Sequence, residues 1–148
     1  MTDLTPALAR LVQELSRLPS IGEKTATRLA MFILGAGRDY VENLAEAIWA
    51  VKTETTLCQE CFGLAEGERC FICIDPQRTL ESICIVEDPA DMLAVESARE
   101  YKGRYHVLHG VISPMNGIGP DDLKIKPLLS RLAKGTVREI VLATNPNL

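Results

Sequence analysis

Residues 83–96 read ICIVEDPADMLAVE, and the two halves of this stretch follow different rules. Residues 83–86 form a short continuous apolar run, the pattern of a strand buried on both faces in a parallel sheet. Asp88 and Pro89 then supply a cap and a first-turn proline, so a helix is expected through Leu93, Ala94 and Ala98, ending by Gly103. The alternation repeats downstream. A second strand is expected at residues 105–108, then a loop punctuated by Gly and Pro over residues 110–120, a short helix near residues 127–132 and a third strand at residues 139–143. The order β-α-β-α-β predicts a parallel sheet flanked by helices.

Toward the N-terminus the period changes to that of helices. Thr5 and Pro6 read as an N-cap and first helical residue, and Leu8, Leu11, Val12, Leu15 and Leu18 recur at helical spacing. Pro19 ends this helix, Ser20, Ile21 and Gly22 make a tight turn, and a second helix runs through Ala26, Leu29, Ala30 and Ile33 until Gly35 and Gly37 stop it. Asp39 with Glu42 reads as a capping box for a third helix, with a buried stripe of Val41, Leu44, Ala45 and Ile48 and with Trp49 packed in the core. Residues 1–57 are thus expected to be a helical module.

Between the two patterns lie Cys58, Cys61, Cys70 and Cys73, as CQEC, FGLAEGER, CFIC. Each Cys-x-x-Cys places two thiolates on one side of a tetrahedral site, which is the ligand set of a structural zinc knuckle at residues 58–73. With four sulfurs the metal would have no open position for substrate, so its role would be in folding. Paired disulfides belong to secreted chains, and residues 1–9 lack a basic region followed by an apolar run; a redox Cys-x-x-Cys would leave the second pair idle. The short gap predicts a small knuckle without long hairpins.

With 148 residues, 47% of them hydrophobic, the chain can bury a substantial core in one or two units. A net charge of −4 gives no global nucleic-acid signal, so DNA contact would need a local patch or backbone amides. No apolar window is long enough to span a membrane, and the cysteine usage fits a reducing cytoplasm.

Several residues are candidates for chemistry. In the turn Leu18-Pro-Ser-Ile-Gly22, amides at the start of the following helix can face a phosphate, with Lys24 and Arg28 one turn apart beside them; a plain helical hairpin with two solvated cations explains the segment equally well. Glu87 stands at the carboxyl end of the first strand, where ligands of open α/β sheets gather, against the alternative of a solvated strand end. Asp88 and Asp91 suit the cap and first turn of the helix. His106 and His109, three apart on extended chain, point to opposite faces, and Cys84 reads as a buried small hydrophobe.

The segment LPSIGEKTATRLA resembles a helix-hairpin-helix DNA-binding motif, and ICIVEDPADMLAVE resembles the opening strand and helix of a Toprim domain, here residues 80–148. With YHVLHGVISPMNGIGPDDLKIKPLL and the knuckle between them, the ordered set is similar to the bacterial recombination mediator family RecR. The resemblance implies a cytoplasmic DNA-repair protein that acts with RecO and RecF to load recombinase on gapped DNA and is not an enzyme. It implies DNA contact by Lys24 and Arg28 and partner contact by Glu87 and Asp91. It also implies homo-oligomers, dimers or ring-like tetramers.

Toprim domains also serve nucleases and primases, so a Mg²⁺-dependent enzyme is the alternative. Those enzymes add an Asp-x-Asp after a later strand to hold the metal. Here that strand reads IVLATNPNL, with Thr144, Asn145 and Asn147, and Asp121 and Asp122 sit in a loop, so phosphoryl chemistry is not expected. The family continues beyond Leu148, and a truncated Toprim sheet is expected to expose apolar surface and to impair ring assembly.

Overall fold

The helical periodicity before residue 54 and the strand-helix alternation after residue 80 fold separately. In the computed structural model, which describes residues 4–145, the chain divides into two compact units, Met1–Lys52 and Thr53–Leu148. The first consists of α1 (Pro6–Ser16), α2 (Glu23–Gly35) and α3 (Arg38–Thr53). Thr5 is the extended residue before α1 with Pro6 opening it, as the dipeptide predicts. Val12 of α1 packs against Ala26 and Ala30 of α2, all three fully buried, with Leu8, Leu11, Leu15 and Ile21 around them. The two alanines stand one turn apart, so the small faces let the helices approach closely.

Two expectations fail in α3. Gly37 accepts from Val41 N–H at 3.2 Å, so the helix begins before Asp39, which lies in its first turn as a charge against the dipole rather than as its cap. The helix has no buried residue: Ile48 is 64% and Trp49 71% exposed, so neither the expected stripe nor Trp49 lies in a core. Periodicity reports which side of a helix is apolar and does not report whether something covers it.

The second unit begins with β1 (Thr56–Leu57) and β2 (Leu64–Ala65), an antiparallel hairpin of two-residue strands. A single turn, α4 (Phe71–Ile74), carries the last cysteine. Then follow β3 (Ser82–Val86), α5 (Pro89–Ser97), β4 (Arg104–Val107), two 3₁₀ turns, α6 (Ile125–Leu132) and β5 (Glu139–Leu142). The strands are parallel in the order β4-β3-β5, with Ile83 opposite Arg104 and Ile140. The sheet foreseen from sequence is present. Every residue of β3 and β4 is buried, whereas all four of β5 are exposed.

Alternation along the strands sorts the layers. Cys84 and Val86, with Tyr105 and Val107, share one core with all four knuckle cysteines, Ile72 and Met92 of α5. Ile83 and Ile85 pack instead on Leu128 of α6, with Leu132 and Val137. The knuckle is therefore built into the second unit and joined to the sheet by a shared core. It also covers the outer edge of β4, where Val107 N–H donates to Cys61 O at 2.8 Å.

Candidate metal centre and nucleic-acid contacts

The four Sγ atoms lie within 4.8 Å of one another, and all four cysteines are buried. A tetrahedral ion with metal–sulfur bonds near 2.3 Å needs sulfurs about 3.8 Å apart, so the cluster is the size of a tetrathiolate site. Cys61 and Cys70 Sγ are 3.5 Å apart. Hydrogen bonds from Cys61 and Cys73 lower the pKa of Cys70, and the bond to Cys70 raises that of Cys61. The four cysteines can hold a metal ion.

Local backbone aims these sulfurs. Cys58 N–H donates to Gly63 O at 2.8 Å and Phe62 N–H to Cys58 O at 2.9 Å, closing the first Cys-x-x-Cys into a turn. Phe62 adopts a left-handed conformation, φ 61°. Gly63 N–H points at Cys61 Sγ, 3.3 Å away, stabilising negative charge on that sulfur. A Cβ on Gly63 would stand 2.9 Å from the end of the Met92 side chain and 3.3 Å from Cys61 Sγ, so a larger residue here would have to displace Met92. Phe62 O accepts from His109 Nε2 at 2.7 Å, tying the knuckle to the chain after β4.

Charges beside the cysteines form a network that the sequence did not announce. Glu60 Oε1 accepts from Arg104 at 3.0 Å and Arg131 at 3.4 Å, while Oε2 accepts from Arg69. Burial raises the pKa of Glu60, but the Arg69 hydrogen bond and the charges of Arg131, Arg69 and Arg104 hold it below its ordinary value. These residues are separated by up to 71 positions, so only folding brings them together. His106, fully buried, donates Nε2–H to Lys124 O at 2.7 Å and turns Nδ1 toward Arg131. Burial first, then the Arg131 charge, lowers its pKa to about 4. His109 has a different partner, so the two histidines do not make one site. Cys84 is buried, and desolvation raises its pKa.

Lys24 and Arg28 are both exposed on the first two turns of α2. Ser20, at φ 64°, turns the chain into that helix, and Gly22 precedes it in extended conformation. The acid Glu23 also lies in the first turn, so the cations share this end with one negative charge.

Glu87 is not a solvated strand end. It is buried, and both oxygens are occupied: Asn145 N–H donates to Oε1 at 2.9 Å and Asn145 Nδ2 to Oε2 at 3.2 Å. Asp91, half-buried, accepts from Asp88 N–H at 3.2 Å and so caps its own helix. Beside Glu87 opens a 330 Å³ cleft lined by Leu108, Val111, Ile112 and Leu123. Asp121 pairs with Lys126 on the surface, and Asp122 accepts from Gly119 N–H at 2.8 Å. Asn147 lies outside the described residues.

A helical hairpin unit followed by a four-cysteine knuckle fused to a parallel sheet defines a protein of the helix-hairpin-helix and Toprim class. Residues 8–52 match the family model described as RecR, helix-hairpin-helix, and residues 81–148 match that of the Toprim domain. Recombination protein RecR of Acidothermus cellulolyticus is 54% identical over 138 residues, 93% of this chain and 69% of that protein. The protein of that name from Anaeromyxobacter sp. is 54% identical over 95% of this chain and 71% of its own length, and that of Myxococcus xanthus 52% over 97% and 74%. The chain belongs to the RecR family of recombination proteins. Among the described residues no helix is long and apolar enough to cross a membrane.

Proposed function

We propose that this protein is a non-enzymatic, DNA-binding mediator of recombinational repair that works in the cytoplasm with RecO and RecF to load recombinase on gapped DNA. The observation that carries the reading is the pair of exposed cations, Lys24 and Arg28, at the start of α2. Amides and cations there would grip phosphates and read no sequence. The functional segments are the helix-hairpin-helix module (1–57), the Cys₄ zinc knuckle (58–73) and the Toprim segment (80–148). Zn²⁺ is the ion proposed for Cys58, Cys61, Cys70 and Cys73, where it would neutralise the thiolates and hold the knuckle on the sheet.

The enzyme alternative is disfavoured by the occupied carboxylate of Glu87, both of whose oxygens face amide donors of Asn145 rather than a second carboxylate. We assign Glu87, Asp91 and the adjoining cleft to partner contact. The exposed side chains Phe32 and Leu34 of α2, with Ile48 and Val51 of α3, support self-association into dimers or tetramers.

Labelled gapped DNA with Mg²⁺ tests the reading: retarded, intact DNA is expected, and cleavage or extension would replace the mediator by the enzyme. Replacing Lys24 and Arg28 by Ala should weaken binding equally for unrelated sequences and flatten its salt dependence by about one unit of slope per lost contact. An unchanged slope removes these residues from the interface.

A further inference from the structure

A second, larger cleft in the Thr53–Leu148 unit opens at the opposite end of the sheet from Glu87. Its 620 Å³ lie beside Ile83 and Arg104, register partners at the starts of β3 and β4, between the knuckle and α6. This is the volume of a small-molecule site. Its charge runs against that of the chain. Arg69, Arg104, Arg131 and Lys134 line it with only Glu60 and Glu68 opposing them, whereas the whole protein carries −4.

The cations outnumber the carboxylates. Three guanidiniums share the single carboxylate of Glu60, with Arg69 also donating to Cys73 O at 2.6 Å and Arg131 to Tyr105 O at 2.7 Å, and the Nε–H of Arg104, a buried residue, has no hydrogen-bond partner. Such an unmet buried donor is uncommon and calls for an explanation. Lys134 is exposed at the mouth, where it adds charge without being held in the network. The other wall is apolar, made by Leu80, Ile83, Pro127 and Val137.

Four cations against two carboxylates leave a surplus of two positive charges. That matches a phosphate monoester, which carries close to two negative charges near pH 7, better than a carboxylate or an internal phosphodiester with one. Arginine forks suit phosphoryl oxygens, and the apolar wall suits a sugar and base. We propose that this cleft binds a nucleoside monophosphate group, its phosphoryl oxygens against Arg69, Arg131 and Lys134 and its base along Leu80 and Val137. The same chemistry is offered by a free nucleotide and by the 5′-phosphorylated end of a DNA strand. The proposal is independent of Lys24 and Arg28.

The test uses the full chain carrying Lys24→Ala and Arg28→Ala, which takes the proposed contacts of the first unit out of the measurement. Calorimetric titration compares 2′-deoxyadenosine 5′-monophosphate, deoxyadenosine and a short single strand with and without its 5′-phosphate. The nucleotide should bind at one site per chain, at least tenfold tighter than the nucleoside. Lys134→Glu should lose at least tenfold while the melting temperature stays unchanged; Arg69→Ala, whose side chain is 46% exposed, should lose a similar factor and serves as the second variant. A 5′-phosphorylated strand binding tenfold tighter than the free nucleotide marks strand ends as the source, and equal affinity marks the nucleotide. Absence of nucleotide binding at millimolar concentration, equal affinity for the nucleoside, or full binding by both folded variants overturns the proposal.

Discussion

Asn145 closes over Glu87 with two hydrogen bonds, its backbone N–H at 2.9 Å from one carboxylate oxygen and its side-chain amide at 3.2 Å from the other. The amide turns what could be half of an acidic metal site into a satisfied, buried ion. The consequence is chemical as well as structural. A carboxylate with an N–H donor on each oxygen and no second carboxylate among its bonded partners lacks the clustered charge that holds a divalent cation.

Exchanging that amide for a carboxylate should reverse the arrangement. Asn145→Asp sets a second negative charge against Glu87, and we expect it to lower stability at pH 7 without divalent ions by about 1–3 kcal/mol. Millimolar Mg²⁺ should restore the melting temperature of the variant and leave that of the wild type unmoved. Equal stabilisation of both by Mg²⁺ would show that Glu87 binds metal as it stands.

Gly63 tests how the knuckle is seated on α5. Gly63→Ala drives a methyl group against Met92 and Cys61 Sγ, and overpacking of this kind costs about 1–3 kcal/mol. Combined with Met92→Ala, which removes one of the clashing groups, the double variant should be more stable than the sum of the single losses predicts. Strict additivity in denaturant melts would mean that the two residues do not meet.

Metal removal should be felt by the sheet. The cysteines share a core with Cys84, Val86, Tyr105 and Val107, so chelation should raise amide exchange in residues 82–86 and 104–107 together with the knuckle. Residues 6–16 and 23–35, held by the separate core of Val12, Ala26 and Ala30, should keep their protection. Freshly purified, reduced protein should contain about one zinc per chain, and a value far below that refutes the tetrathiolate site. Exchange that rises only within residues 58–73 would show that the metal stabilises the knuckle alone.

His106 should make stability depend on pH in a defined window. Its folded pKa is lowered to about 4 from 6.5, so the unfolded chain binds the proton more readily. Its contribution is therefore complete above pH 6.5 and is lost as pH falls toward 4, amounting to at most about 3 kcal/mol. Glu60 and Glu96, whose values are lowered from 4.5, lose their contribution only below that, which separates the two effects. His106→Gln keeps a donor for Lys124 O and should flatten the melting temperature between pH 6.5 and 4.5 relative to wild type. An identical pH profile for the variant would assign the dependence elsewhere.

Some of this architecture was legible because its causes are local. The run at residues 83–86 and the cap at Asp88 set a strand and a helix within a few residues of each other, and the Cys-x-x-Cys spacing decides which sulfurs can meet. Local rules went astray where the neighbourhood decides. Trp49 and Ile48 look like core and are exposed, and for Glu87 the alternative of a solvated strand end gives way to burial against Asn145.

The sequence by itself determined the order of the main helices and strands, the parallel connection and which four cysteines cluster, since these follow from period, chirality and residue type over short spans. Only the tertiary structure decided that the knuckle is part of the sheet's core, that Glu60 gathers three arginines drawn from the knuckle, β4 and α6, and that Asn145 meets a carboxylate 58 residues away. Hydrogen bonds and charge pairs act over a few ångströms of space, and distance along the chain carries no record of them.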